Sequence, residues 1–155
     1  MDSPPSTNMT SVTSYRVLYG DTDKMGVAYY ANYLRWFEKG RGEFLRQLGM
    51  PYAAIEQRDV HFPVVEVSCR YFRSARYDDR LTIETQLLSL TRATLSFTYR
   101  VLGDREDALI LAVGSTKHAC VNGQGRILKI PSDIVDLLAP VQMPTRYGEA
   151  NHPHR

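Results

Sequence analysis

The sequence predicts an α+β fold in a single domain, with one long helix laid across one face of an antiparallel five-stranded sheet. Three observations predict it. Apolar residues recur at three- and four-residue steps in one long stretch only, beginning at Tyr30. Five other segments alternate apolar with polar residues or form short apolar runs, the pattern of strands. The later segments are joined by short turns, and short links join antiparallel neighbours. A single helix can cover one face of such a sheet, which makes an α+β layer. The chain has 155 residues, 43% hydrophobic and 23% charged, enough for one domain with its own core.

Residues 1–12 are rich in Ser, Thr and Pro without apolar periodicity and read as a disordered lead-in. A first strand is expected over 13–19, where Tyr15, Val17 and Tyr19 alternate with Ser14, Arg16 and Leu18. The polar loop GDTDKMG follows, with glycine at both ends. The helix is read from Tyr30 through Tyr33, Leu34, Phe37, Phe44, Leu45 and Leu48, with Gly40 and Arg41 where the next contact would fall. Gly49 and Pro51 stop it after about 27 Å. Gly40 and Gly42 inside it suggest a backbone pressed against the sheet. YAAIEQRD forms a short helix or turn. Strands are expected over 63–72, 80–89, 93–102 and 108–121, with RYDD and NGQG as turns. PSDIVDLLAP closes the domain as a short helix. The folded domain is read as 13–140 and the flexible tail as 141–155.

The bulk properties exclude several classes of function. A formal charge of +2 gives no reason for a nucleic-acid partner, although a few clustered cations could hold a phosphorylated ligand. No apolar run approaches the roughly 20 residues that span a bilayer, and the N-terminus has no apolar signal core, so a cytoplasmic location is expected. Cys69 and Cys120 are read as reduced thiols. The four histidines lack metal-ligand spacing, so no metal is expected. There is no G-x-S-x-G nucleophile and no Gly-rich phosphate loop.

The loop before the helix carries the best candidate chemistry. Asp21 and Asp23 flank Thr22, and acids beside a helix N-terminus often serve only as caps. Asp23 is seven residues from Tyr30, too far for a simple cap. KMGVAY must therefore fold back for its carboxylate to meet the helix end. A carboxylate and free backbone N–H groups would then share one place, and such N–H groups stabilise an oxyanion. Spacing alone leaves catalysis and capping equally open. Glu38 and Glu43 read as solvated helix face, His118 as a satisfied sheet residue, and Asp78 with Asp79 as turn residues.

The run YGDTDKMGVAYYANYLRWFE, residues 19–38, resembles the signature of hotdog acyl-CoA thioesterases. That family includes 4-hydroxybenzoyl-CoA thioesterases and Tol-Pal-associated short-chain acyl-CoA thioesterases. FPVVEVSCRYFRSARYDDRLTIET and HACVNGQGRILKIP add weaker matches, and the resemblance extends over 14–138. It implies a hotdog fold, a helix wrapped by the sheet, and homodimers or homotetramers with sites near the subunit interface. It implies hydrolysis of an acyl-CoA thioester to a carboxylic acid and CoA, with no cofactor because CoA belongs to the substrate. On this resemblance Asp23 is the nucleophile or general base, the Tyr30 backbone N–H polarises the carbonyl, and Gly26 supplies the turn between them. Arg92, Arg126 and Lys129 are the cations expected for the CoA phosphates. The Tol-Pal group commonly has His at the position of Tyr30, and the hydroxybenzoyl group has Pro at that of Ala31, so the acyl group stays open. Two alternatives remain, a 3-hydroxyacyl-thioester dehydratase of the same fold and a non-catalytic acyl-CoA-binding protein. The first would need a His in the GDTD-to-helix loop, which has none, and the second has no use for a charge beside the thioester.

Overall fold

The computed structural model describes residues 8–104 and 109–144. Five strands, β1 (Ser11–Arg16), β2 (Val64–Tyr71), β3 (Arg80–Leu90), β4 (Thr94–Gly103) and β5 (Ile110–Ala119), form one antiparallel sheet. Three helices accompany it, α1 (Asn32–Gln47), α2 (Tyr52–Glu56) and α3 (Ser132–Leu138). This is the hotdog arrangement, with α1 packed across β1, β3 and β4. The helix has 16 residues, about 24 Å, shorter than expected because it begins two residues after Tyr30. β1 begins inside the segment read as lead-in, because pairing of Ser11 with Thr85 gives that polar stretch a ladder. The rest of the expected lead-in, 1–7, and most of the expected tail, 145–155, lie outside the described residues, as does Ala108 of the expected last strand.

The strand order is β1-β3-β4-β5-β2, so β2 and β3 are not neighbours although eight residues join them. Short links suggested adjacent pairing, and here they mislead. Eight extended residues reach roughly 26 Å, while crossing three strand spacings takes only about 14 Å. The link therefore crosses the end of the sheet. It is held there by the fully buried Ala75, whose carbonyl accepts from Ala28 N–H at 2.8 Å and whose N–H donates to the Tyr33 hydroxyl.

The helix buries Tyr33, Trp36, Phe37, Gly40, Phe44 and Leu45, whereas Leu34 stays exposed. A Cβ on Gly40 would collide with the Thr85 hydroxyl and Ile83, so the backbone is pressed against β3 as expected there. Gly42 meets nothing within 4 Å, so its presence has a different cause. Phe37 lies over Gly114 and stacks on Tyr99 with ring centres 4.4 Å apart. Cys69 and Cys120 are free thiols.

His118 sits in this core with both ring nitrogens engaged. Nδ1 lies 2.9 Å from the Phe62 carbonyl, and Nε2 lies 2.8 Å from the Thr116 hydroxyl. An Nδ1–H tautomer satisfies both contacts, with Thr116 donating to Nε2. Burial pushes its pKa down to about 4, the Phe62 hydrogen bond opposes that shift, and the Arg41 charge adds to it. The unfolded ring, titrating near 6.5, binds a proton more readily. Its contribution to stability is therefore complete above about pH 6.5 and is lost as pH falls toward 4, by about 3 kcal/mol in all. Chemical denaturation at pH 7.5 and pH 4.5 should show that loss in the wild type, and His118→Gln should lack most of it. An equal acid sensitivity in both proteins would show that other groups cause it.

Candidate active site

The GDTDKMG loop folds back on itself as a small hairpin. Thr22 pairs with Ala28, Asp23 N–H donates to the Val27 carbonyl at 2.9 Å, and Gly26 N–H donates to the Asp23 carbonyl at 3.0 Å. Gly26 closes the turn at φ +77°, a conformation that side-chain-bearing residues rarely adopt. The link after β2 clamps the returning arm through Val27 and Arg76.

The two acids of this loop have opposite surroundings. Asp21 is 4% exposed. Its carboxylate accepts from the Tyr15 hydroxyl at 2.6 Å and from Leu18 N–H at 2.8 Å. Its carbonyl accepts from Tyr29 N–H and from the Asn32 side chain. Burial, and then Asp21 itself, raise the Tyr15 pKa. Asp21 thus ties β1, the hairpin and the start of α1 together. Asp23 is exposed, and one carboxylate oxygen accepts from Met25 N–H at 2.8 Å. That bond orients the group and leaves the other oxygen open to a ligand.

Tyr30 lies in the turn that leads into α1, ahead of Ala31 at the N-cap. It is three residues, at most about 10 Å, along the returning arm from Val27, the partner of Asp23. Among the described residues, the N–H groups of Tyr30 and Ala31 donate to no backbone carbonyl. The positive end of the helix dipole lies here too. Tyr71 donates from its hydroxyl to the Tyr30 carbonyl at 2.8 Å and holds the turn. Burial, and then Cys69, raise the Tyr71 pKa, so this donor keeps its proton. The sequence by itself singles out no role for Tyr71, since a contact spanning 41 residues leaves no local signal. Of the aromatics around this region, Tyr33 and Trp36 are core and Tyr29 and Tyr71 are exposed, whereas Phe62 lies at the opposite end of the sheet.

Arg92, Arg126 and Lys129 lie at that opposite end. The Arg92 carbonyl accepts from Ile130 N–H at 2.8 Å, which gathers the three cations around the β3–β4 turn. Asp23 follows β1, whose last residue, Arg16, pairs with Arg80 at the start of β3. The ten steps from Arg80 to Leu90 span about 33 Å. One chain therefore does not bring these cations to Asp23. Among the described residues, no cluster of three His, Cys, Asp or Glu could hold a metal ion. No helix among them is long and apolar enough to cross a membrane.

A family model described as the thioesterase-like superfamily matches residues 17–144. A putative esterase of Aquifex aeolicus is 35% identical over 123 residues, covering 79% of this chain and 93% of that protein. The acyl-CoA thioesterase YbgC of Haemophilus influenzae is 34% identical over 121 residues, covering 77% and 87%. A crystal structure of a hypothetical protein from Thermus thermophilus superposes with a TM-score of 0.81 at 36% identity, covering 88% of this chain and 100% of that one.

Proposed function

Because the chain belongs to the thioesterase-like superfamily, we propose that it is an acyl-CoA thioesterase working through Asp23. The observation that carries this reading is the hairpin, which presents an open carboxylate a short distance from free N–H groups at the start of α1. The thioester oxygen is held by the Tyr30 N–H, which strengthens its hold as negative charge develops. Asp23 attacks the carbonyl carbon, or takes a proton from the water that does. The C–S bond breaks, the electron pair leaves with the CoA sulfur, which takes up a proton, and water supplies the hydroxyl of the carboxylic acid, directly when Asp23 is the base and by cleaving the Asp23–acyl anhydride when Asp23 is the nucleophile. Water is the only co-reactant, so no cofactor takes part. Two free thiols fit a reducing compartment, and the reading extends to the cytoplasm.

Our reading includes a homo-oligomer, supported by an open sheet edge. β2 is exposed along most of its length and carries Val64, Val65 and Val67 there, with Val65 57% exposed. Bare apolar edges invite another strand. Antiparallel pairing of two β2 strands would set one copy's Val64 end against the other's Tyr71 end. Arg92, Arg126 and Lys129 of one copy would thereby approach Asp23 of the other, where the CoA phosphates need them. Light scattering should give at least a dimer at micromolar concentration, and a stable monomer would sink this part of the reading.

Thiol release from a panel of acyl-CoA esters, followed with a thiol dye, tests the activity. At least one ester should be turned over repeatedly. Binding without release would indicate a sensor, and double-bond formation in a 3-hydroxyacyl ester without release a dehydratase.

A further inference from the structure

One side chain from a distant strand reaches the candidate site beside Asp23 and the free N–H groups. Tyr71 is the last residue of β2, where it pairs with Ala112 of β5. The next two N–H groups, of Phe72 and Arg73, both donate to the Leu111 carbonyl, at 2.8 and 3.2 Å, so the end of the strand is tied down. The Tyr71 ring stands edge-on to that of Tyr33, with centres 5.0 Å apart and planes at 88°. Tyr33 is a buried residue of α1. The Tyr71 ring therefore leans on the core, while its hydroxyl reaches out to the Tyr30 carbonyl.

The turn that Tyr71 grips has little else to hold it at Tyr30. Tyr29 N–H donates to the Asp21 carbonyl at 2.8 Å, and Asn32 N–H donates to the Tyr29 carbonyl at 2.9 Å. Between these bonds the Tyr30 carbonyl lies ahead of the α1 ladder and, among the described residues, accepts from no backbone N–H. The Tyr30 ring is exposed and rests on that of Tyr29, which is exposed as well, so side-chain packing does not fix the residue. The Tyr71 hydroxyl is the anchor at this point, 2.8 Å away. Anchoring matters here because an oxyanion donor works by being aimed before the charge develops. A small misplacement of such a group costs rate steeply.

We propose that Tyr71 is a positioning residue for the hydrolysis, whose hydroxyl fixes the Tyr30 carbonyl and thereby the aim of the Tyr30 N–H at the thioester oxygen. Tyr30 carries its N–H and its carbonyl on either side of one Cα. A turn pinned at the Tyr30 carbonyl cannot swing at the N–H without breaking the bond from Tyr71 or the bond from Asn32 to Tyr29. Tyr71 touches no reacting atom and acts on the rate through Tyr30 alone. This inference rests on the thioesterase reading above.

Tyr71→Phe keeps the ring against Tyr33 and removes the hydroxyl alone. On the full-length protein, with the acyl-CoA ester that the wild type cleaves best, kcat should fall by about tenfold. That is the scale of one hydrogen bond and falls short of losing the donor itself. KM should stay within about twofold, because the lost bond is not made to the substrate. The loss should be the same at every pH between about 6 and 9, where a tyrosine, ordinarily titrating near 10, keeps its proton. Replacing Tyr71 by 4-aminophenylalanine, which puts an N–H donor where the hydroxyl stood, should preserve most of the rate. The bond itself can be read directly by nuclear magnetic resonance. With carbon-13 in the tyrosine carbonyls and nitrogen-15 in alanine, coupled signals come only from Tyr30–Ala31 and Tyr52–Ala53. Tyr71→Phe should move the Tyr30 signal upfield, as a carbonyl carbon moves on losing a hydrogen bond, and should leave the Tyr52 signal in place. An unmoved Tyr30 signal, an unchanged kcat or a 4-aminophenylalanine protein as slow as Tyr71→Phe would overturn the inference. So would a rate lost together with the oligomer, the mark of a purely structural role. A wild type that cleaves no ester sinks the thioesterase reading and this inference with it, whereas each of the Tyr71 outcomes sinks the inference alone.

Discussion

Asp23→Asn lowers turnover by about 10²-fold or more, while Asp21→Asn costs turnover far less directly and shows its effect in stability. The first figure is the scale expected for loss of a general base, since an amide can neither attack the carbonyl nor take a proton from water. Asparagine can keep the hydrogen bond from Met25 N–H, because its side-chain carbonyl accepts as the carboxylate does, so the hairpin stays in place. Binding of the CoA ester should hold or tighten, because one negative charge has left the neighbourhood of a polyanion. Asp21 is the control. Its buried carboxylate accepts from Tyr15 and Leu18 on one and the same oxygen, and an asparagine that places its carbonyl there brings an NH2 donor into the buried space of the other oxygen. A buried group left partly unsatisfied costs about 1–3 kcal/mol, so Asp21→Asn should melt earlier. Steady-state kinetics with separate calorimetry on the ester, together with melting curves for both variants, decides the matter. Near-normal turnover in Asp23→Asn would reduce Asp23 to a turn residue.

Tyr30→Pro abolishes turnover, and Tyr30→Phe leaves most of it. The assigned group is the backbone N–H, which phenylalanine retains and proline lacks. The phenol is dispensable on this account: Tyr30 is 62% exposed, and Tyr71 reaches its carbonyl, not its ring. Losing one oxyanion donor costs about 10²–10³-fold in kcat. The lesion is local, since the Tyr30 N–H donates to no backbone carbonyl and α1 begins only after Ala31. Circular dichroism should therefore show intact helix and sheet. Ala31→Pro is the control for backbone stiffening. Its φ of −70° already suits proline, and it should keep turnover while losing the neighbouring N–H. A large loss with Tyr30→Phe would move the phenol into the chemistry.

Much of this was legible along the chain because it depends on neighbours in sequence. The 3.6-residue period from Tyr33 to Leu45 and the alternation in β3 and β4 report which side of each element meets the core, and the burial follows them. The turn at Gly26 and the helix stop at Gly49 are positive-φ sites that only a short list of residues tolerates. The separation of Asp23 from the helix implied a chain that folds back, and it does so through bonds spanning at most eight residues. Leu34, read on the apolar stripe, is exposed because a helix face is broad and neighbouring elements decide where it ends.

By itself, then, the sequence determined the fold class, the elements and the loop that holds the candidate site, since each is written in spacings of a few residues. Only the tertiary structure decided which acid is buried and which is open, because the burial of Asp21 comes from Tyr15 on β1 and from the helix start, brought in by folding. It alone placed β2 at the far edge of the sheet, since eight residues reach a distant strand as readily as a near one. It alone separated Arg92, Arg126 and Lys129 from Asp23, because strand pairing sets them at opposite ends of β3.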